Sequence, residues 1–157
     1  MQEKDFNIIK RLWIYQKERF PIFAYGLMVF TFCFSAMSYS KFLRGSFDFS
    51  FTTFIIGALT SFGYFFLLRI FDEFKDSIAD AKYRPYRAVP RGLVSFFELR
   101  ILAFLIIAIQ FILNLVFIPR MLVIWVFVIS FMLIMRREFF LGIWLLKHPV
   151  FYLITHM

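Results

Sequence analysis

Charged residues are absent from four stretches of this chain, 20–40, 49–68, 101–119 and 121–135, which are apolar almost throughout. A helix that crosses the hydrocarbon layer needs about 20 apolar residues, within a range of about 17–25. The first three stretches reach that length. The fourth, of 15 residues, is short, and Pro119 and the apolar residues 139–146 offer ways to extend or tilt it. Backbone amides in lipid must be bonded within their own segment, which selects helices, and the alternating polar pattern of a membrane barrel is absent from the sequence. The pattern predicts an all-α membrane protein with four transmembrane helices in two hairpins. One hairpin turns in the loop 41–49 and the other turns tightly at 118–120. Beyond residue 140, "LGIWLLKHPVFYLITHM" is apolar again but broken by Lys147, His148 and Pro149, and reads as the start of a fifth helix. Residues 1–19 follow another pattern. Phe6, Ile9, Leu12 and Trp13 alternate with Lys4, Lys10, Arg11 and Lys17, as in a helix lying at the cytosolic membrane surface. The segment is too long and too charged for the n-region of a secretory signal. The chain thus divides into a cytosolic or interfacial helix, 1–19, and a transmembrane domain, 20–157, with a charged loop at 71–92.

Composition strengthens the membrane reading. Hydrophobic residues make up 62% of the 157, with 26 phenylalanines, against about 45–50% apolar residues in soluble domains. The net charge of +8 does not indicate a nucleic-acid partner, because the bases cluster by segment. Fifteen of the 18 lie in 1–19, 69–100 and 136–147, and only Lys41, Arg44 and Arg120 lie elsewhere. The positive-inside rule then places the N-terminus, the 71–92 loop and the segment after 136 in the cytosol. The single cysteine, Cys33, permits no internal disulfide and reads as packing. The two histidines, His148 and His156, lack the further ligands a metal site would need and read as interfacial.

The loop "FDEFKDSIADAKYRPYRAVPRG" carries the candidate chemistry. Continued as a helix past Leu68, the chain would place Asp72, Glu73, Asp76 and Asp80 within one arc of about 100°. Like charges one turn apart repel, so such a cluster makes sense if a cation fills it. Carboxylate oxygens are hard ligands that suit Mg²⁺, Mn²⁺ or Ca²⁺. Lys75, Arg84, Arg87 and Arg91 follow closely and supply the donors a phosphate ester needs. The alternative is a salt-bridged loop whose acids pair with adjacent bases, Arg69 on the same arc included, since exposed ion pairs are common.

The spacing Glu73-x-x-Asp76-x-x-x-Asp80, preceded by Asp72, resembles the first aspartate-rich motif of UbiA-type intramembrane prenyltransferases, N-D-x-x-D-x-x-x-D. "RPYRAVPRGLVS" at 84–95 resembles the Arg-Pro-x-Pro-x-Gly segment of that family, and "RIFDEFKDSIAD" is similar to the variant in its uncharacterised bacterial members. There are departures. Asp72 stands for the usual Asn, Glu73 for the first Asp, and Ala88 where Pro commonly follows the Arg. The second aspartate-rich motif is absent, since only Glu98 and Glu138 follow Asp80. The resemblance implies the N-terminal half of a UbiA-like helical bundle in a bacterial plasma membrane, cut as helix five begins. It implies a Mg²⁺-dependent transferase of non-methyl alkyl groups that moves a prenyl chain from a polyprenyl diphosphate to an aromatic or other acceptor.

In that reading Asp72, Glu73, Asp76 and Asp80 hold the metal, and Lys75, Arg84, Arg87 and Arg91 bind the diphosphate. An allylic cation would need aromatic faces and shelter from water. Phe51, Phe54, Phe62, Tyr64, Phe65 and Phe66 are the candidates, with Phe62, Phe66, Gln110 and Asn114 as a candidate pocket. Gln110 and Asn114 equally suit interhelical hydrogen bonding, and the phenylalanines ordinary packing. With one acidic motif of two, the isolated chain is not expected to turn over without a second half-protein or a second copy in a homodimer. A non-catalytic membrane subunit or remnant remains the alternative. A cation carrier fits less well, because no ionisable residue lies mid-span.

Overall fold

The computed structural model describes residues 6–46 and 48–156, with the side chain of His156 excluded; Lys4 of the predicted surface helix lies outside them. The described residues form helices joined by turns, without a strand. The order is α1 (Ile8–Arg19), α2 (Ile22–Leu43), α3 (Phe51–Lys75), α4 (Ser77–Tyr83), α5 (Phe96–Phe117), α6 (Leu122–Arg136), α7 (Gly142–Lys147) and α8 (Pro149–His156). Four segments are long and apolar enough to cross a membrane: α2, α3, α5 and Pro119–Arg136, the last being α6 with the 3₁₀ turn before it. The protein is an integral membrane protein of the all-α class. The fourth span gains its length from the Pro119 turn, and nothing is added beyond Arg136.

Local chemistry sets the boundaries. Asn7 caps α1 by accepting from the Lys10 amide at 2.9 Å. Phe20 leaves the helix at φ −152°, ψ 69° because Pro21 follows, and a residue before proline is pushed out of the helical region. The Gln16 carboxamide accepts from the freed amide of Ile22 at 3.2 Å, so α1 and α2 meet at a fixed corner. Ser50 caps α3. Ser95 and Glu98 form a reciprocal capping box on α5, which satisfies two of the amides a helix start leaves open.

Helix α3 is central and packs on α2, α5 and α6. The core lies towards its charged end, where Leu67, Ile70 and Phe71 meet Tyr15 of α1, Ala88, Leu93 and Val94 of the connection, and Leu99 and Ala103 of α5. Val29 is the buried residue of α2, so that helix leans on the bundle by one narrow face. The opposite half of the core is tied by a buried polar network. Gln110 Nε2 donates to the Thr60 carbonyl at 3.1 Å and Asn114 Nδ2 to Thr60 Oγ1 at 3.1 Å. Trp125 Nε1 donates to Gln110 Oε1 at 3.0 Å. Three helices thereby share one hydrogen-bonded cluster. This is the interhelical role that the sequence left open for Gln110 and Asn114.

Gly63 makes room for this network. A Cβ there would lie 2.0 Å from Gln110 Nε2 and 3.3 Å from Ile106 Cγ2. The amide can swing aside only by giving up Thr60 and leaving buried groups unpaired. Gly63→Ala is therefore expected to destabilise the fold by about 1–3 kcal/mol, read by reversible unfolding in mixed detergent micelles. Thr60→Ala should cost less, about 0.6 kcal/mol, the average for a hydrogen bond between membrane helices.

The C-terminal region does not form a fifth span. Helices α7 and α8 are short and separated at His148 and Pro149. Between α6 and α7, Glu138, Phe139 and Phe140 have φ of 51°, 55° and 59°. That left-handed conformation costs an L-residue roughly 1–2 kcal/mol. It reverses the chain and returns α8 to the charged end of α3.

Candidate functional site at the charged end of the bundle

The four acids divide into two pairs. Helix α3 stops at Lys75, and Asp76, at φ −91° and ψ 8°, bends the chain into α4. Asp72 and Glu73 precede the bend and point about 100° apart on α3, so the acids fall into two pairs on the two sides of the arc. Glu73 and Asp80 face inward, both buried, and line a small cavity of about 110 Å³ with Val89, Pro90 and Phe96. Asp72 and Asp76 face outward and line a cavity of about 390 Å³.

The inward pair is neutralised by arginines. Glu73 is ion-paired with Arg19 of α1. Asp80 accepts from Arg87 at 2.5 Å and Arg84 at 3.5 Å. Burial works against the Arg19 charge, but the Glu73 carboxylate more than offsets this and holds Arg19 above its ordinary range. Tyr15 is fully buried beside this pair. Burial, reinforced by Glu73, pushes its phenol above its ordinary range, and its hydroxyl has no hydrogen-bond partner. Further pairs pin α1 to α5 and to the connection. Arg11 binds Glu98 at 2.5 Å, and Arg91 binds Glu18 at 2.7 Å. Of the basic residues named from the sequence as diphosphate ligands, Arg84, Arg87 and Arg91 belong to this inner, carboxylate-bound set.

The outward pair is built differently. Asp72 meets Arg69 at 3.3 Å, while the half-buried carboxylate of Asp76 has no hydrogen-bond or ion-pair partner among the described residues. Lys75 reaches across the cavity to the Tyr152 hydroxyl at 2.5 Å and Glu138 at 3.5 Å. Gly142 gives the Glu138 carboxylate its place, since a Cβ there would lie 2.2 Å from Glu138 Oε2. Arg69, Asp72, Lys75, Asp76 and Tyr152 thus surround one polar mouth.

An apolar groove adjoins this mouth. Phe65, Leu68 and Met135 line the polar cavity and also a second cavity of about 290 Å³, whose other walls include Phe32, Tyr64, Val128 and Phe131. A polar cavity and an apolar one thus lie side by side between α2, α3 and α6, with three side chains in common. A larger cavity, about 530 Å³, lies elsewhere, beside α1 and bounded by Ile22, Phe66 and Leu102, and none of the four acids lines it.

The candidate aromatic residues separate accordingly. Phe65 and Tyr64 line the groove, whereas Phe62 and Phe66 pack on Phe20, with ring centroids 5.0 Å away in both cases. Gln110 and Asn114 are buried in the interhelical network. His148 stacks on Trp144, and Cys33 is a free, half-buried thiol. Sequence reasoning missed Arg19 as the partner of Glu73 and missed Tyr152 altogether; no local pattern links residues that far apart. Arg69 was legible, being on the arc of Asp72.

Among the described residues no group of three or more His, Cys, Asp or Glu side chains is arranged to hold a metal ion. Mg²⁺ ordinarily takes only one or two carboxylates, keeps several waters and shares a substrate phosphate, and the donor chemistry of Asp72 and Asp76 fits that pattern. Comparison with family models, curated proteins and solved structures finds no match for this chain.

Proposed function

We propose that this chain binds a polyprenyl diphosphate with Mg²⁺ and serves a UbiA-type prenyl transfer, as the N-terminal half of such an enzyme. The observation that carries the reading is the outward acid pair at the mouth of an apolar groove. Asp72 and Asp76 would hold the cation, and Arg69 and Lys75 would donate to the diphosphate oxygens. The prenyl chain would lie along Phe65, Leu68 and Phe131. Bound Mg²⁺ supplies charge neutralisation to the departing diphosphate. Tyr64 and Phe65 would face the allylic cation left when the C–O bond breaks, at about 0.5–2 kcal/mol per aromatic contact. The acceptor then forms the new bond and loses a proton. A companion half or a second copy would supply the remaining acids and the wall that excludes water.

The test is the affinity for a prenyl diphosphate with and without Mg²⁺. Tighter binding of each in the presence of the other is expected; equal affinity in both conditions counts against the reading. A second reading, a non-catalytic membrane subunit, draws on the fact that Asp72, Glu73 and Asp80 are all ion-paired within the chain. The proposal also places the mouth in the cytosol of a bacterium. A topology reporter in the 41–49 loop is expected to report the outside and one at 82–88 the cytosol; both on one side would contradict the charge argument.

A further inference from the structure

We propose that the paired ends of α5 and α6 bind the phosphate headgroup of an anionic membrane lipid, through Arg100, Arg136 and Arg137. The three arginines lie where one span begins and the next ends: Arg136 covers Phe74 at 4.5 Å, and Phe74 packs at 5.2 Å on Phe96 at the start of α5, which brings the end of α6 beside the first turns of α5. Among the described residues no ion pair joins them to a carboxylate. Arg11, Arg19, Arg69, Arg84, Arg87 and Arg91 each have an acidic partner. The acids of the same region are engaged elsewhere, Glu98 by Arg11 and Glu138 by Lys75. Clustered like charges without a counter-charge are unfavourable, and a bound anion relieves them. Arg136 lies over the rings of Phe74 and Phe71, at 4.5 and 5.7 Å, and Arg137 over that of Phe140, at 5.6 Å; ring contacts leave guanidinium N–H groups to donate to an acceptor. Arg100 and Arg137 are exposed.

The occupant is a lipid because the patch continues into exposed apolar surface. On α5, Phe97, Ile101 and Phe104 are exposed and stand three or four residues from Arg100 or each other, on its face. On α6, Leu133 and Ile134 are exposed below Arg137. Guanidinium groups at headgroup depth above an apolar stripe match a phosphate joined to acyl chains, and basic pockets between membrane helices are known to take anionic headgroups. This site is separate from the acid-lined mouth and does not rest on the prenyl reading.

The experiment reconstitutes the full chain in nanodiscs of phosphatidylcholine mixed with phosphatidylglycerol and counts the lipids retained on mild delipidation by mass spectrometry. Near an anionic surface each base contributes about fivefold in affinity, so the wild type should retain phosphatidylglycerol by about tenfold or more. Arg100→Gln/Arg136→Gln/Arg137→Gln should retain both lipids equally, while Lys41→Gln/Arg44→Gln/Arg120→Gln keeps the preference. Should the first variant misfold, the corresponding triple substitution to Lys keeps the charge and is expected to retain most of the preference. An equal loss in both Gln variants, no preference in the wild type, or loss of preference in the Lys variant would overturn the proposal. So would displacement of the lipid by millimolar inorganic phosphate, which would assign the site to a soluble anion.

Discussion

Glu73→Ala is expected to destabilise the charged end of the bundle by about 3–5 kcal/mol, the cost of leaving one member of a buried ion pair without the other. The Glu73 side chain is 1% exposed and that of its partner Arg19 is 16% exposed, so water cannot take over the role of the lost carboxylate. The pair also joins α1 to α3, and its loss should loosen the corner that Gln16 and Phe20 build. Unfolding in mixed micelles measures the change, and proteolysis after Arg19 reports the release of α1. The double variant Arg19→Met/Glu73→Leu should recover most of the loss, since apolar residues replace a buried pair at little cost. A single variant within about 1 kcal/mol of wild type, the level of an exposed pair, would show that the pair is solvated.

Asp76→Asn should have the opposite profile, with stability unchanged and Mg²⁺-dependent diphosphate binding weakened by at least about tenfold and up to hundredfold, the range seen when support of a metal site is removed. The reasoning lies in what Asp76 lacks. Among the described residues its carboxylate has no partner to lose, so substitution leaves no charge stranded. Asp72→Asn should weaken binding less cleanly, because it also frees Arg69. Isothermal titration with a short prenyl diphosphate, in the presence and absence of Mg²⁺, separates the two variants. If Asp76→Asn binds as well as wild type, the outward pair is not the cation site.

These contrasting expectations for Glu73 and Asp76 were not legible in the sequence, although the residues were. The spans could be read because apolar length is a direct constraint of the bilayer, and Pro119 marked the second hairpin turn. The bend at Asp76 could not. It arises where α3 leaves the apolar packing of its last turns, and no proline or glycine announces it. The two sides of the acidic arc, about 100° apart at Asp72 and Glu73, meet different surroundings, and the acids become two pairs with different fates. The ion pair of Arg19 with Glu73 joins residues 54 positions apart, and the return of Tyr152 depends on three consecutive left-handed residues, which no residue preference at Glu138, Phe139 and Phe140 predicts. For Gln110 and Asn114 the sequence held both answers, and the groups facing them, Thr60 and Trp125, favour structural bonding.

The central claim, that one path through the protein holds a diphosphate at Asp72 and Asp76 and an apolar chain between α2, α3 and α6, is tested most directly by photolabelling. A prenyl diphosphate with a diazirine at its far end would be irradiated with the reconstituted protein and the adducts mapped by mass spectrometry. The account predicts Mg²⁺-dependent labelling of Phe32, Val128 or Phe131, lost in Asp76→Asn. Labelling at Trp13 or Leu102 in the cavity beside α1, or labelling indifferent to Mg²⁺, would contradict it.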